Sequence, residues 1–361
     1  MNQLNQEKIW ERIEKGVFVI AEIGKGFIQT KEDKTQEEYL ENAKKLVFSA
    51  KEAGAHAVKF QTHWLEDEQM NISITAPHFS GMDRYNWVKR NETATPLWFW
   101  QELKKYCDDL GIIFFSTPMS RGAAKILEQV GVEIWKVGSA DILDFVMLDY
   151  LASTKKPIII SSGMSTLEEI DKAVGFLQKR AIKIALLHCV SQYPCPLENL
   201  NLKTIEFFKE RYNVPIGFSS HSIEIDSAIA AVQMGARIIE KHFSFSRDFW
   251  GSDHKSSLLP DEFKAMVDKI RKCVRVDLAD YGKADKVLQE EEAVFRPVFR
   301  KSLVAGSDLA AGDILTSEKI YAMRPQVYID GLHSEEYENV LGKKVIKDLK
   351  KYDPIKLEYL R

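Results

Sequence analysis

Eight short apolar runs each end in side chains that can do chemistry. In order these are Glu22 (VFVIAE), Lys59 (AVKFQT), Ser116 and Thr117 (IIFFST), Lys136 (EIWKVGS), Ser161 and Ser162 (PIIISS), His188 (IALLH), Ser219 to His221 (PIGFSSH) and His242 (RIIEKH). Lys59 and Lys136 among the hydroxyls of Thr117, Ser139, Ser161 and Ser219 can hold a phosphate or a carboxylate. Neither lysine has an obvious acidic strand neighbour, which favours an anionic ligand over internal pairing. Glu22 could act as a general acid or base, or could instead form a salt bridge to Lys59 on the adjacent strand. His221 and His242 end the last two runs, and adjacent parallel strands lie ~5 Å apart, so the two imidazoles could share one divalent ion. Two histidines are half a coordination shell. Waters and substrate oxygens would complete an octahedron, which suits Mn²⁺ or Mg²⁺, with Co²⁺ also possible, better than a closed zinc site. The alternative is two histidines satisfied separately by backbone. Glu240 shares the face of His242, either as a partner to that ring or as barrel filling.

The elements that must position these groups follow from the spacing. The runs predict strands near 17–22, 56–61, 112–116, 133–137, 157–161, 184–188, 215–218 and 237–242. Helical periodicity falls between them, near 36–53, 97–110, 120–130, 166–179, 201–211, 225–234 and 260–280, and Thr166 with Glu169 forms a capping-box-like start. Continuously apolar strands alternating with helices predict a parallel sheet buried on both faces. Eight such units predict a (β/α)8 TIM barrel over residues 1–282, with chemistry at the carboxyl ends of its strands. The long connection 62–95 carries His63, His78, Phe79, Tyr85 and Trp87 and reads as an ordered lid. Residues 283–296, highly charged over 283–292, read as a linker, with a helical linker as one option. Residues 297–361 read as a small β-rich module with strands in SLVA, SDLAAGDIL, IYAMRP and VLGKKVIKDLKKYDPIKLEYL, too small to stand without leaning on the barrel or a second subunit. Trp98-Phe99-Trp100 reads as helix packing, and the Cys189/Cys195 pair as loop structure.

Composition narrows the class. The 361-residue chain is 45% hydrophobic and 29% charged, as expected of a globular protein, and its net charge of −3 leaves no basic footprint for nucleic acid or an anionic membrane. No apolar run approaches the ~20 residues of a membrane helix. The N-terminal stretch is too charged for a secretory signal. The four cysteines form no CxxC pair, which fits a reduced, cytoplasmic protein.

The successive motifs VFVIAEIG, AVKFQTH, FFSTPMSR, WKVGSAD, IIISSGMST, ALLHCVSQYPCP, IGFSSHS, IIEKHFSF and GSDHKSSL resemble those of the sialic acid synthases, a family that includes legionaminic and pseudaminic acid synthases. The segment KSLVAGSDLAAGDILTSEKIYAMRP resembles their C-terminal antifreeze-like (SAF, β-clip) domain. The resemblance implies condensation of phosphoenolpyruvate with an open-chain N-acetylhexosamine, such as N-acetylmannosamine or a 2,4-diacetamido-6-deoxyhexose, to a nine-carbon 2-keto acid. It implies a metal on His221 and His242. It implies a phosphoenolpyruvate site of Lys59, Thr117, Lys136, Ser139, Ser161, Ser191 and Ser219, and a sugar pocket of Gln61, Tyr193 and Asp253. Glu22 is the expected base for the attacking water, with Asp253 and Glu240 as further catalytic candidates. Arg324, in the MRP motif, would reach into a partner subunit's barrel, making a domain-swapped homodimer. His188 is expected to be structural. Two departures stand out. The family's Asn-His-Asn-Gly-like turn after AEIG is here Lys25-Gly26-Phe27-Ile28-Gln29-Thr30, beside the expected sugar site, and its Ser-Asp-His is here Ser219-Ser220-His221. The alternatives are a Schiff-base aldolase using one of the lysines and a non-catalytic sugar-binding paralogue.

Overall fold

Apolar strands and amphipathic helices alternate as the spacing predicts. In chain order the computed structural model contains α1 (Asn2–Lys15), β1 (Phe18–Gly24), α2 (Gln36–Glu52), β2 (Ala57–Thr62), α3 (Arg84–Ala94), α4 (Leu97–Leu110), β3 (Ile113–Pro118), α5 (Arg121–Val130), β4 (Trp135–Val137), α6 (Phe145–Ser153), β5 (Ile158–Ser161), α7 (Leu167–Gln178), β6 (Ile184–Cys189), α8 (Thr204–Arg211), β7 (Ile216–Ser220), α9 (Asp226–Gln233), β8 (Ile238–His242) and α10 (Pro260–Arg271). It describes residues 2–277 and 281–361. All pairings among β1 to β8 are parallel and run β3-β2-β1-β8-β7-β6-β5-β4, with β3 and β4 side by side across the remaining seam. This is the expected TIM-like barrel.

Local sequence sets the helix ends. Thr166 caps α7 and Glu169 returns the bond to the Thr166 backbone, completing the capping box expected there. Gly111 and Gly131 end α4 and α5 at φ of 65° and 85°, a region that favours glycine. Helices α1 and α6 were not read from the sequence, and α10 stops at Arg271, short of the expected 280, whose last three positions lie outside the described residues.

The amino-terminal helix explains one end of the barrel. Ile9, Trp10 and Ile13 of α1 pack against Phe18, Ile20, Ala57, Phe115, Ile134, Ile159, Leu187 and Ile238. These residues come from β1, β2, β3, β5, β6 and β8 and from the residue before β4, so this end is plugged by apolar side chains, each Ile, Leu or Phe contributing about 1.5–3 kcal/mol by burial. Polar groups are confined to the other end, where the strands terminate.

The segment expected to be a linker is folded. It forms α11 (Glu290–Ala293) and α12 (Arg296–Phe299), both lying on the barrel. The C-terminal module then follows with an antiparallel pair, β9 (Ser302–Ala305) and β10 (Ile320–Met323). Its other expected strands are extended loops tied by single bridges such as Leu309 to Leu349 and Ile314 to Lys344. Too few consecutive residues pair there to make ladders. The module's apolar residues, among them Leu303, Leu315, Tyr337 and Ile355, join the same hydrophobic cluster as the barrel helices. The module therefore leans on the barrel of its own chain.

Candidate active site

Parallel register brings the strand-end groups together. Glu22 lies level with Lys59 on β2 and with His242 on β8, while Ser219 on β7 lies level with Glu240. All of these line one cleft with Lys136, Thr117, Ser139 and Ser161. Of the expected anion-binding residues, Ser191 does not line the cleft, but its hydroxyl sits beside that of Ser139, against Gly163. A side chain at Gly163 would collide with both hydroxyls, at 2.3 and 2.6 Å, so glycine is required by this close approach.

The lysines do have acidic partners: Glu22 bridges Lys59 from the adjacent strand, the alternative open for that residue, while the contacts of both lysines with Glu240 were not expected from strand neighbours. Lys59 Nζ is 2.6 Å from Glu22 and 3.7 Å from Glu240, and Lys136 Nζ is 3.7 Å from the same Glu240 oxygen. The strand assignments concealed this because Glu240 reaches across the barrel interior to lysines on β2 and β4. Glu240 makes no hydrogen bond to His242 among the described residues, though the two interact electrostatically; it accepts a hydrogen bond from Ser219 at 3.0 Å. Lys59 also donates to Thr117 at 3.0 Å and Lys136 to Ser161 at 2.7 Å. Burial disfavours the Glu240 charge, but Lys136 and Lys59 outweigh it and hold the carboxyl below its usual range. Burial pulls Lys136 down, with Glu240 opposing and Lys59 reinforcing. Lys59 is likewise opposed by burial, yet Glu22 and Glu240 leave it above the ordinary lysine range. Burial pushes Glu22 up against the pull of Lys59, and Gln61 donates to Glu22 Oε1 at 3.0 Å. The floor of the cleft is thus a lysine–glutamate lattice whose ammonium groups an incoming anion can share.

The two histidines stand with ring centres 5.4 Å apart. His221 Nδ1 donates to the Val190 carbonyl at 2.7 Å, which fixes its tautomer and leaves Nε2 free. His242 Nδ1 is buried without a hydrogen-bond partner. Among the described residues no group of three or more His, Cys, Asp or Glu side chains converges as a metal cage. Two imidazoles are the donors present here, half of a shell that water or ligand oxygens would have to complete. Tyr193 lies against His221 with ring centres 4.0 Å apart, and His78 stacks on Tyr193 at 4.8 Å. His188, at the end of β6, is tied to the Leu200 carbonyl at 2.6 Å and does not line the cleft.

The lid 62–95 is ordered and supplies the upper wall. His63 bonds both oxygens of Glu68 at 2.8 and 2.7 Å, and Arg84 of α3 lines the cleft. Asp253, from the loop after β8, is also there, and Gly24 brings it close. A side chain at Gly24, where φ is 55°, would sit 2.9 Å from Asp253 Oδ2. Burial opposes Asp253 ionisation, but His242, Lys25 and His78 hold its carboxyl well below the usual range. Among the lining residues not identified from the sequence as site residues are Lys25, just past the end of β1, and His78 and Arg84, which lie in the lid. The departure of the Lys25 turn from the family pattern was the available signal.

The folded linker contributes as well. Glu292 is fully buried and its Oε1 accepts from the Met164 and Ser191 backbone amides, both at 2.9 Å. Phe295 and Phe299 close the side of the cleft. Arg324, expected to enter a partner's barrel, meets the barrel of its own chain. It pairs with Asp141, and its Nε and Nη1 have no hydrogen-bond partner. The module docks through Lys301, which is 2.9 Å from Asp141 and 2.7 Å from Asp144, so the contact forms within one chain.

Comparison with known proteins is consistent with this architecture. The NeuB family model matches residues 46–279 and the SAF domain model matches residues 300–361. A pseudaminic acid synthase of Campylobacter jejuni is 34% identical over 347 residues, covering 95% of this chain and 96% of that protein. The human N-acetylneuraminate-9-phosphate synthase is 30% identical over 344 residues, covering 94% and 91%. Among solved structures, the Bacillus subtilis spore coat polysaccharide biosynthesis protein spsE superposes with a TM-score of 0.77 at 28% identity, covering 96% of this chain and 95% of that one. The barrel, the strand-end residues and the appended module together place this chain in the NeuB family, with a C-terminal SAF domain.

Proposed function

We propose that the protein condenses phosphoenolpyruvate with an open-chain N-acetylhexosamine, giving a nine-carbon 2-keto sugar acid and phosphate. The observation that carries this reading is the lattice of Lys59, Lys136, Glu22 and Glu240, which meets the His221–His242 pair in one cleft. Relatives over nearly the full chain are synthases of this kind. Phosphoenolpyruvate carries a phosphate and a carboxylate, and two buried lysines surrounded by the hydroxyls of Thr117, Ser139, Ser161 and Ser219 suit both.

His221 and His242 would hold a divalent ion, Mn²⁺, Mg²⁺ or Co²⁺, which when bound supplies Lewis-acid polarisation of the sugar aldehyde. The chain's own residues do the rest. Gln61, Tyr193 and Asp253, which line the cleft, would orient the sugar so that its aldehyde carbon faces the methylene carbon of phosphoenolpyruvate, with Arg324 acting through the lining Asp141 it pairs with. As the new carbon–carbon bond forms, the aldehyde oxygen takes up a proton and positive charge develops at the enol carbon. Water adds there, and Glu22 accepts one of its protons, which balances the one taken up by the aldehyde oxygen. The carbon–oxygen bond to phosphate then breaks as the second water proton passes from the new hydroxyl to the departing phosphate, leaving the ketone and free phosphate. Lys59 and Lys136 follow the negative charge as it moves onto phosphate, and the preformed lattice spares reorganisation.

The test is phosphate release from phosphoenolpyruvate with a panel of N-acetylhexosamines and divalent ions. Release that requires both a sugar and a divalent ion is expected. No release with any acceptor from folded, metal-supplied protein would overturn the reading, and borohydride trapping of a sugar on Lys59 or Lys136 would replace it with an imine-forming aldolase.

A further inference from the structure

Behind the two imidazoles, on the outer face of the same strands, a buried ammonium takes no part in the chemistry described so far. Side chains alternate along a strand, so Lys241 points away from the cleft that its neighbours Glu240 and His242 line. It is 1% exposed and lies level with Ser220 on β7. Its Nζ donates to Ser220 Oγ at 3.1 Å, Ser222 Oγ at 3.0 Å, the Ser222 carbonyl at 2.5 Å and the Glu224 carbonyl at 3.2 Å. Its three N–H groups therefore share more acceptors than they need. Ser222 Oγ is bonded in turn to Ser220 Oγ at 3.0 Å and to Ser227 Oγ, in the first turn of α9, at 2.9 Å. Every acceptor around Lys241 is a neutral oxygen. Among the described residues no carboxylate comes within ion-pair distance of it, and Glu224 and Glu262 act on it only from farther off. A cation held out of water without a counter-ion is tolerated only where such a cage is complete.

What the cage holds is the turn that carries His221. Strand β7 ends at Ser220, so His221 stands one residue past the ladder, whereas His242 lies within β8, level with Glu22. The loop after β6 holds His221 from one side: its Nδ1 donates to the Val190 carbonyl at 2.7 Å, and its own carbonyl accepts from the Cys195 amide at 3.2 Å. On its C-terminal side Ile223 is 40% exposed and Glu224 is exposed, so packing contributes little there. The bonds from Lys241 to the Ser222 and Glu224 carbonyls secure that side. Because Lys241 precedes His242 in the chain, one side chain ties both imidazoles to a common frame.

Resting on the assignment of a divalent ion to His221 and His242, we infer that Lys241 is a positioning residue for that ion. Its caged ammonium sets the spacing of the two rings while touching neither the ion nor a substrate.

The test is Mn²⁺ binding to the whole protein without substrates, read from the electron paramagnetic resonance of the free ion. Lys241→Met keeps the aliphatic stem and removes the donors, and it should weaken Mn²⁺ binding at least about tenfold while calorimetric binding of phosphoenolpyruvate stays within about threefold. Lys241→Ala should recover affinity in propylammonium chloride, which replaces the missing stem and donors, and not in tetramethylammonium chloride, which has no N–H to donate. Mn²⁺ affinity of Lys241→Met within about threefold of wild type, even with urea stability lost, makes Lys241 merely structural and overturns the inference. Equal behaviour of Lys241→Ala in the two salts overturns it as well. If neither variant folds, Ser222→Ala decides: Mn²⁺ binding weakened about threefold or more upholds the role, and unchanged binding overturns it. Wild-type protein that binds no Mn²⁺ removes the metal centre and this role together, an outcome distinct from a wild type that binds and variants that bind equally well. Neither result depends on whether condensation occurs.

Discussion

Glu292→Ala should be among the most damaging single changes outside the cleft itself. Glu292 is fully buried, and one of its oxygens accepts two backbone hydrogen bonds, from Met164 and Ser191, at 2.9 Å each. Its other oxygen is 3.4 Å from buried Lys286. Met164 sits at φ 54°, a left-handed conformation costly for a side chain, and its carbonyl is held by Arg296 at 2.7 Å and Arg300 at 2.6 Å. Removing Glu292 leaves two buried amides and one buried ammonium without partners. Hydrogen bonds to a charged acceptor contribute about 1.5–3 kcal/mol each, so two predict a loss of about 3–6 kcal/mol. Glu292→Gln keeps an acceptor oxygen in place and should lose roughly half as much. Urea unfolding gives the stabilities. Because the Ser191 amide moves when released, the KM for phosphoenolpyruvate should rise more in the Ala variant than the KM for the sugar. A loss below about 1 kcal/mol for Ala, or Gln as damaging as Ala, would refute the assignment of Glu292 as the clamp on these two loops.

Glu22→Gln keeps the Gln61 side but removes the carboxylate that accepts the water proton. It should lower kcat by about 100-fold or more while phosphoenolpyruvate still binds by calorimetry, and kcat within threefold of wild type would contradict the role. Arg324→Ala, by depriving the cleft-lining Asp141 of its partner, should weaken sugar affinity more than phosphoenolpyruvate affinity in steady-state kinetics, and equal losses would argue against a role for Arg324 toward the sugar. His56 accepts a hydrogen bond from the Val19 amide at 3.0 Å, and burial, with Arg12 and Arg271 nearby, pulls it down to about 4. Its folded value lies below its unfolded one, so the stability it contributes is present above about pH 6.5 and is lost as pH falls toward 4, by ~1–2 kcal/mol after allowance for partial exposure. Urea midpoints of wild type and His56→Gln should converge over that window, and a constant gap would contradict the account.

The barrel and the floor of the cleft were legible because strand-end position does most of the work. Glu22, Lys59, Thr117, Lys136, Ser219 and His242 each close an apolar run, and a parallel barrel gathers run ends at one mouth. What was hidden depends on reach across the barrel or along loops. Glu240 lies inside a run, yet it neutralises lysines on strands it does not adjoin. Lys25, His78 and Arg84 come from connections that have no period to read. Glu292 sits in a charged stretch, EEEA, that reads as solvated, and only the docking of α11 against β5 and β6 loops buries it. Helix α1 was missed because Ile9, Trp10 and Ile13 sit among charges, and its plug role exists only once the barrel offers an apolar floor.

The central claim is carbon–carbon bond formation between phosphoenolpyruvate and an N-acetylhexosamine in this cleft. Mass spectrometry of the product of a metal-supplied reaction tests it most directly. The account predicts a 2-keto acid with the mass of the sugar plus phosphoenolpyruvate plus water less phosphoric acid, one per phosphate released. Pyruvate and phosphate beside unchanged sugar, across the whole acceptor panel, would contradict it.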